Sequence, residues 1–240
     1  MNNIVTLFKR EYAGYFNASI AFIVVPVFLL VFGIFFFFIP DFFSVNQASL
    51  RRFFSIAPIV TAIFAPAMTM RLLAEERRSG TIELLSTMPL QEHEIVLGKF
   101  LGAMALMISA LVLTLGYAFT VSALGDLDWG PVFGGYVGLV LMAGAYLAIG
   151  TLTSSLTRNQ IVAFFVALFI NICLFLIDAV NFLYLPAPLA GIARALSFNQ
   201  HFQNIARGVL DFRDIFFYLS VITGALYLSV HSLRMQRFAQ

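Results

Sequence analysis

Six apolar runs, each near the roughly 20 residues that cross the hydrocarbon core of a bilayer, constrain this chain more than anything else. They lie at about 19–39, 55–73, 95–124, 131–156, 160–180 and 215–233. Apolar residues make up 61% of the 240-residue chain and charged ones only 11%, against about 25% charged in soluble domains. A soluble domain of this length would need far more polar surface. The pattern predicts an all-α membrane protein with six transmembrane helices in one domain spanning 1–240. The first run is too long for a signal-peptide core and lacks a small-residue cleavage site after Ile39, so it reads as a retained span.

Lys and Arg in the flanks set the expected orientation. With the N-terminus inside, nine bases fall on the cytoplasmic side (Lys9, Arg10, Arg71, Arg77, Arg78, Lys99, Arg158, Arg234, Arg237) and five outside (Arg51, Arg52, Arg194, Arg207, Arg213). Both termini are therefore expected in the cytoplasm. The net charge of +2 gives no reason to expect a nucleic-acid partner. Cys173 is the single cysteine, so no intrachain disulfide can form.

Between the second and third runs lies a polar island, Glu75 to Lys99, with five of the twelve acids. Gly80 allows a turn that a β-carbon would resist. Thr81 is a good N-cap, and Glu83 in the first turn complements the helix dipole. Ile82, Leu84 and Leu85 supply an apolar surface, and Pro89 stops the helix. Gln91 to Glu94 then open the helix that becomes the third span. A short rigid helix of this kind, lying crosswise under the membrane, suits docking into a groove on a partner protein. A charge-balanced solvated loop would explain the acids but not the Gly-Thr start and the Pro stop.

Other irregularities surround the island. In Met1–Phe16, residues Ile4, Val5, Phe8, Tyr12, Tyr15 and Phe16 share one arc, with Lys9 and Arg10 opposite and Glu11 intruding on the apolar side. That pattern predicts a helix in the membrane interface; a frayed basic tail is the plainer alternative. The segment 181–214 is broken by Pro186 and Pro188. Phe198, Phe202, Ile205 and Val209 then recur at helical spacing, with Arg194, His201, Arg207, Asp211 and Arg213 as the polar side. It predicts a partial-depth hairpin on the outer face. Gly98 and Gly102, and Gly130, Gly134, Gly138 and Gly144, form small-residue stripes for close helix approach, a use more common within a chain than between chains. Pro26 and Pro66 inside spans should kink them or expose carbonyls.

Chemistry is largely missing. No phosphate-binding G-x-x-x-x-G-K-[ST] loop occurs, and Lys99 is followed by Phe100. His93–Glu94 begins like a zinc-protease helix, but position 97 is Leu. The three histidines form no ligand set, so no metal site and no catalytic residue is expected. Asn171 and Asp178 in the fifth run are the candidates for lining a pathway. A carboxylate at the outer interface, paired with Arg194 or Arg207, is the alternative for Asp178 and the favoured one.

The pattern Glu75-Glu76-x3-Gly80-Thr81-x-Glu83-x-Leu85-x3-Pro89, followed by Ile95-Val96-Leu97-Gly98-Lys99, resembles the first cytoplasmic loop of ABC-2 type (type V exporter fold) permeases. Within that family the chain is most similar to gliding-motility-associated permease subunits, through Pro66-Ala67-x-Thr69-Met70-Arg71, Asn159 to Phe164, His201-Phe202 and Arg207-Gly208-Val209-x-Asp211-x-Arg213-Asp214. A motility role does not follow, because such permeases also look widespread in non-gliding bacteria.

The resemblance implies a non-catalytic subunit of the bacterial inner membrane that forms a homodimer or heterodimer above two separate ABC ATPase subunits. ATP and Mg would sit on those ATPases, with no cofactor on this chain and a periplasmic accessory protein as a further partner. It implies a coupling helix that docks on the ATPase (Glu75, Glu76, Gly80, Thr81, Glu83, Leu84, Leu85, Pro89). It further implies an N-terminal connecting helix (Phe8, Lys9, Arg10, Glu11, Tyr12) and an outer re-entrant hairpin at Ala187–Asp211. The function implied is coupling of ATP hydrolysis to export or to force transmission. A stand-alone secondary transporter or channel, and a purely structural anchor, are the alternatives.

Overall fold

The computed structural model describes residues 3–38, 49–80, 90–177, 191, 195–208 and 211–238. Among them every regular element is helical. Helix α1 (Asn3–Asn17) precedes α2 (Ile20–Gly33), which continues as a π-helical turn over Ile34–Phe38. Then come α3 (Arg51–Thr69), α4 (Ala74–Ser79), α5 (Glu92–Leu124), α6 (Trp129–Leu156), α7 (Gln160–Leu176), α8 (Phe198–Ala206) and α9 (Phe212–Phe238).

Five segments are long and apolar enough to cross a bilayer, and the described part of the remaining run, α7, is a shorter apolar helix. Phe22, Ile23 and Leu30 of α2 and Ile161, Phe165 and Phe169 of α7 are exposed on the outside of the bundle. A surface so apolar suits acyl chains and not water. The chain is a multi-pass membrane protein.

Helix α6 is the central post. It packs against α3, α5, α7, α8 and α9, and its glycines set how closely they come. A β-carbon at Gly150 would lie 2.0 Å from Thr69 Oγ1, and one at Gly134 would lie 2.6 Å from the Ile205 carbonyl oxygen. The stripe expected from Gly134, Gly138 and Gly144 is thus used within the chain. Gly138 faces Phe202 and Ile205 of α8, and Gly144 faces Ile222 of α9.

Helix α3 carries both Pro58 and Pro66. Pro66 lacks the N–H that would bond the Ala62 carbonyl. Asn171 of α7 reaches across instead, its Nδ2 donating to Ala62 O at 3.4 Å. Near the start of α3, Phe28, Phe32, Phe36, Phe53 and Phe54 pack with Tyr117 and Tyr136 in edge and tilted contacts. The Tyr117 hydroxyl donates to Leu29 O at 2.6 Å, tying α5 to α2 just before the π turn.

The described first and last helices meet the same end of this bundle. Helix α1 lies on the first turns of α5, and Ser232 of α9 donates to the Ser155 carbonyl at the end of α6. The start of α3, the α5–α6 link and α8 occupy the opposite end.

Candidate functional site: the clasp at the α1 end

Leu7, Glu11 and Tyr15 recur every four residues and so share one face of α1. That face turns inward. It meets Gly98 and Gly102, which share a face of α5 in the same way. A β-carbon at Gly98 would fall 2.6 Å from Leu7 Cβ, and one at Gly102 would fall 2.8 Å from Glu11 Cβ. Only glycine admits α1 at this distance.

Between the two glycines stands Lys99, buried to 2% exposure. Its Nζ lies 2.8 Å from Glu11 Oε1 and 2.8 Å from Glu76 Oε1, so one ammonium joins α1, α4 and α5. Arg10 borders the cluster at 3.4 Å from Glu11 and 3.7 Å from Glu76. A buried charge is costly unless it is closely paired, and here the pairing comes from two other helices. Deeper in, the Tyr15 hydroxyl donates to Met68 O at 2.7 Å. Burial, with the Glu11 carboxylate second, raises the Tyr15 pKa and keeps its phenol a donor.

Helix α4 is the first part of the polar island, separated from α3 by turns at Met70–Leu73. Ser154 of α6 holds this break. Its hydroxyl donates to Met70 O at 3.1 Å and accepts the Leu73 and Ala74 N–H groups, each at 3.0 Å. Arg77 donates to the Ser155 carbonyl, and Arg71 pairs with Glu75 one turn on, at 2.9 Å. Gly80 closes α4 with φ +72°, the left-handed conformation its sequence position anticipates.

The far side of the island is anchored too. The Gln91 N–H donates to Glu94 Oε2 at 3.0 Å, closing a capping box at the start of α5. Asn3 of α1 donates to both Glu94 oxygens at 3.1 Å. The Gln91 N–H first, and the Asn3 amide second, hold the Glu94 carboxyl below the usual carboxylate range. Both ends of the intervening stretch are therefore tied to α1, one through Glu76 and Lys99, the other through Glu94 and Asn3. A cavity of about 340 Å³ opens beside the clasp, lined by Arg10, Glu11, Tyr15, Arg71 and Glu76 among others.

Against the sequence expectations, the placements divide. Thr81, Glu83, Leu84, Leu85 and Pro89 lie outside the described residues, as do Asp178 and part of Ala187–Asp211. Glu75 is half exposed beside Arg71, whereas Glu76 turns inward to Lys99. Phe8 and Tyr12 are half-buried with stacked rings, Lys9 and Arg10 are exposed, and Glu11 enters the clasp. Asn171 is fully buried against α3.

The face of α1 turned to the protein is Leu7, Glu11 and Tyr15, while Val5 and Phe16 of the apolar arc are exposed, as residues facing lipid would be. The salt bridge to Lys99 explains why an acid belongs on that face. His201, assigned to the polar side of its segment, is buried instead. Its Nδ1 lies 2.5 Å from Asp214 Oδ1 and its Nε2 lies 3.2 Å from Ala195 O, and the ring stacks on Phe217. Asp214, in the first turn of α9, supplies the partner that makes burial tolerable. Among the described residues no group of three His, Cys, Asp or Glu could hold a metal ion.

Sequence reasoning passed over Lys99, Asn3 and Ser154. The signal for Lys99 was present: a lysine between two glycines four apart, and an acid on an otherwise apolar arc. Nothing local marks Ser154, because its partners are backbone groups in a distant turn.

A family model described as ABC-2 family transporter protein matches residues 43–207, which include α4, Lys99 and Ser154 but not α1. No curated protein matches the chain.

Proposed function

We propose for this chain, which belongs to the ABC-2 family of transporter proteins, the role of a permease subunit driven by ATP hydrolysis on a separate polypeptide. In this reading it spans the bacterial inner membrane six times, with both termini in the cytoplasm. It pairs with a second permease subunit above two ABC ATPase subunits, which carry the ATP and Mg. Its motifs at Pro66–Arg71, Asn159–Phe164, His201-Phe202 and Arg207–Asp214 resemble those of gliding-motility-associated permeases, a likeness from which no motility role follows.

One observation carries the proposal: Glu76 before the 81–89 stretch and Glu94 after it are both fastened to α1, and Lys99 joins α1, α4 and α5 at one point. A push on Thr81–Pro89 by the ATPase would reach α3 through α4, and α5 directly. Rigid ion pairs transmit displacement where a solvated loop would absorb it. Glu83, Leu84 and Leu85 would make the docking contact, and α1 would serve as the connecting helix. The output is a conformational change in the membrane helices, used either to export a substrate or to load force onto a periplasmic protein.

The test is ATP hydrolysis by the assembled complex. Glu83→Arg and Leu85→Asp should abolish the stimulation of the ATPase by the permease while leaving the permease folded and dimeric. Normal hydrolysis in those variants would overturn the docking assignment. Substrate flux in liposomes without the ATPase would instead favour a transporter acting alone.

A further inference from the structure

A second cavity, of about 330 Å³, lies at the opposite end of the bundle, where the start of α3, the α5–α6 link and the end of α8 meet. Its floor is apolar, built from Phe54, Leu127, Pro131 and Val132. Phe54 cannot swing away. Its ring fills the space left by Gly135, where a β-carbon would fall 2.3 Å from the ring, and packs edge-on against Tyr136 at 5.6 Å.

Arg51 and Arg207 line the same cavity from two separate elements. Neither guanidinium has an ion-pair or hydrogen-bond partner among the described residues. Among the described residues the one acid in the lining is Asp128, whose Oδ1 accepts the Gly130 N–H at 3.0 Å as the cap of α6. Among the described lining residues, two positive charges thus stand against one negative charge already engaged with backbone. Arg51 also opens α3; Ser49 Oγ accepts its backbone N–H at 3.2 Å, and the positive end of the helix dipole faces the same region. Both arginines are exposed and so open to an anion from outside, and guanidinium is the side chain best matched to phosphate. Arg51 is the first residue of an apolar span, which puts the cavity at headgroup depth.

We propose that this cavity binds the phosphate headgroup of an anionic phospholipid, with Arg51 and Arg207 on the phosphate and the apolar floor under the lipid's glycerol and first methylenes. The site needs only that the chain lie in a bilayer and is independent of the ATPase reading. It also gives these two bases a purpose at the end of the bundle that the Lys and Arg bias leaves poor in charge.

Native mass spectrometry of the full chain in mild detergent tests it, with phosphatidylglycerol and phosphatidylethanolamine of matched chains as probes. The wild type should retain phosphatidylglycerol preferentially. Arg51→Gln and Arg207→Gln should each cut that preference about fivefold, and the pair should remove it. Arg213→Gln, an exposed arginine at the same end but outside this cavity, should keep it. Asp128→Asn preserves an N-cap and removes the one negative charge, so it should strengthen retention; weaker retention there counts against the site. Equal retention of both lipids by the wild type, or a preference that survives the double variant in protein that elutes as wild type, overturns the proposal. Displacement by millimolar inorganic phosphate as effective as by phosphatidylglycerol would overturn the lipid assignment, leaving a free-anion site.

Discussion

Lys99 and Glu11 stand 88 positions apart in the chain and 2.8 Å apart in space, with Glu76 at the same distance on the other side of the ammonium. This contact turns three helices into one unit. Replacing Lys99 by Met keeps the shape of the side chain but leaves two acids facing an apolar end. Breaking such a pair from one side should lower stability by about 3 kcal/mol. The thermal midpoint of the detergent-solubilised protein reads this directly. Glu11→Gln combined with Lys99→Met should recover part of the loss, because one stranded charge is then gone. An unchanged midpoint in the single variant would mean that the clasp contributes nothing to stability.

Gly98 offers a sharper steric test. Its missing β-carbon would meet Leu7 Cβ at 2.6 Å, and that atom cannot rotate out of the way. Gly98→Ala should therefore push α1 off α5, at about 1–3 kcal/mol. Trypsin should then cut sooner at Lys9 and Arg10. Gly116 lies on the same helix with nothing within 4 Å of the same position. Gly116→Ala should be neutral or stabilising by up to about 1 kcal/mol. Equal behaviour of the two variants would refute close packing of α1.

Asn171 and Pro66 should be coupled although they lie on different helices. Asn171→Leu removes the donor to Ala62 O and should cost about 1 kcal/mol. Pro66→Ala restores an N–H that can bond the same carbonyl within α3. In that background Asn171→Leu should cost much less. A double-mutant cycle on unfolding measures the difference, and strict additivity would show that Asn171 does something else.

Glu94 sits in the first turn of α5, ahead of the apolar run that begins at Ile95. Its carboxyl pKa is depressed in the folded state by the Gln91 N–H and then by Asn3. A depressed pKa means that the contribution is present above the carboxyl's unfolded pKa and is lost as pH falls through the folded one. Hydrogen exchange at the Gln91 amide should accelerate across that acidic window. In Glu94→Gln it should be pH-independent there beyond the intrinsic exchange rate. An identical profile in both proteins would remove Glu94 as the cause.

The two ends of the charged segment were legible in linear order. Gly80 marks a turn in the sequence because only glycine takes a positive φ cheaply, and it adopts φ +72°. Gln91 and Glu94 carry a capping pattern whose partners lie within one turn. The paired glycines of α5 announced a close approach without naming what would approach.

The amino-acid sequence by itself determined that this is a helical membrane protein with a charged segment between two apolar runs, because run length and charge are one-dimensional quantities that a bilayer reads directly. Only the tertiary structure decided which faces turn inward. In a bilayer an apolar residue is at ease against either lipid or protein, so apolar character in α1 did not tell exposed Val5 from buried Leu7. Polar residues had the same ambiguity until partners were in place. Glu11 needed Lys99, His201 needed Asp214, and Asn171 needed the carbonyl that Pro66 leaves open. Each of those pairings forms between separate helices, and only folding brings them within reach.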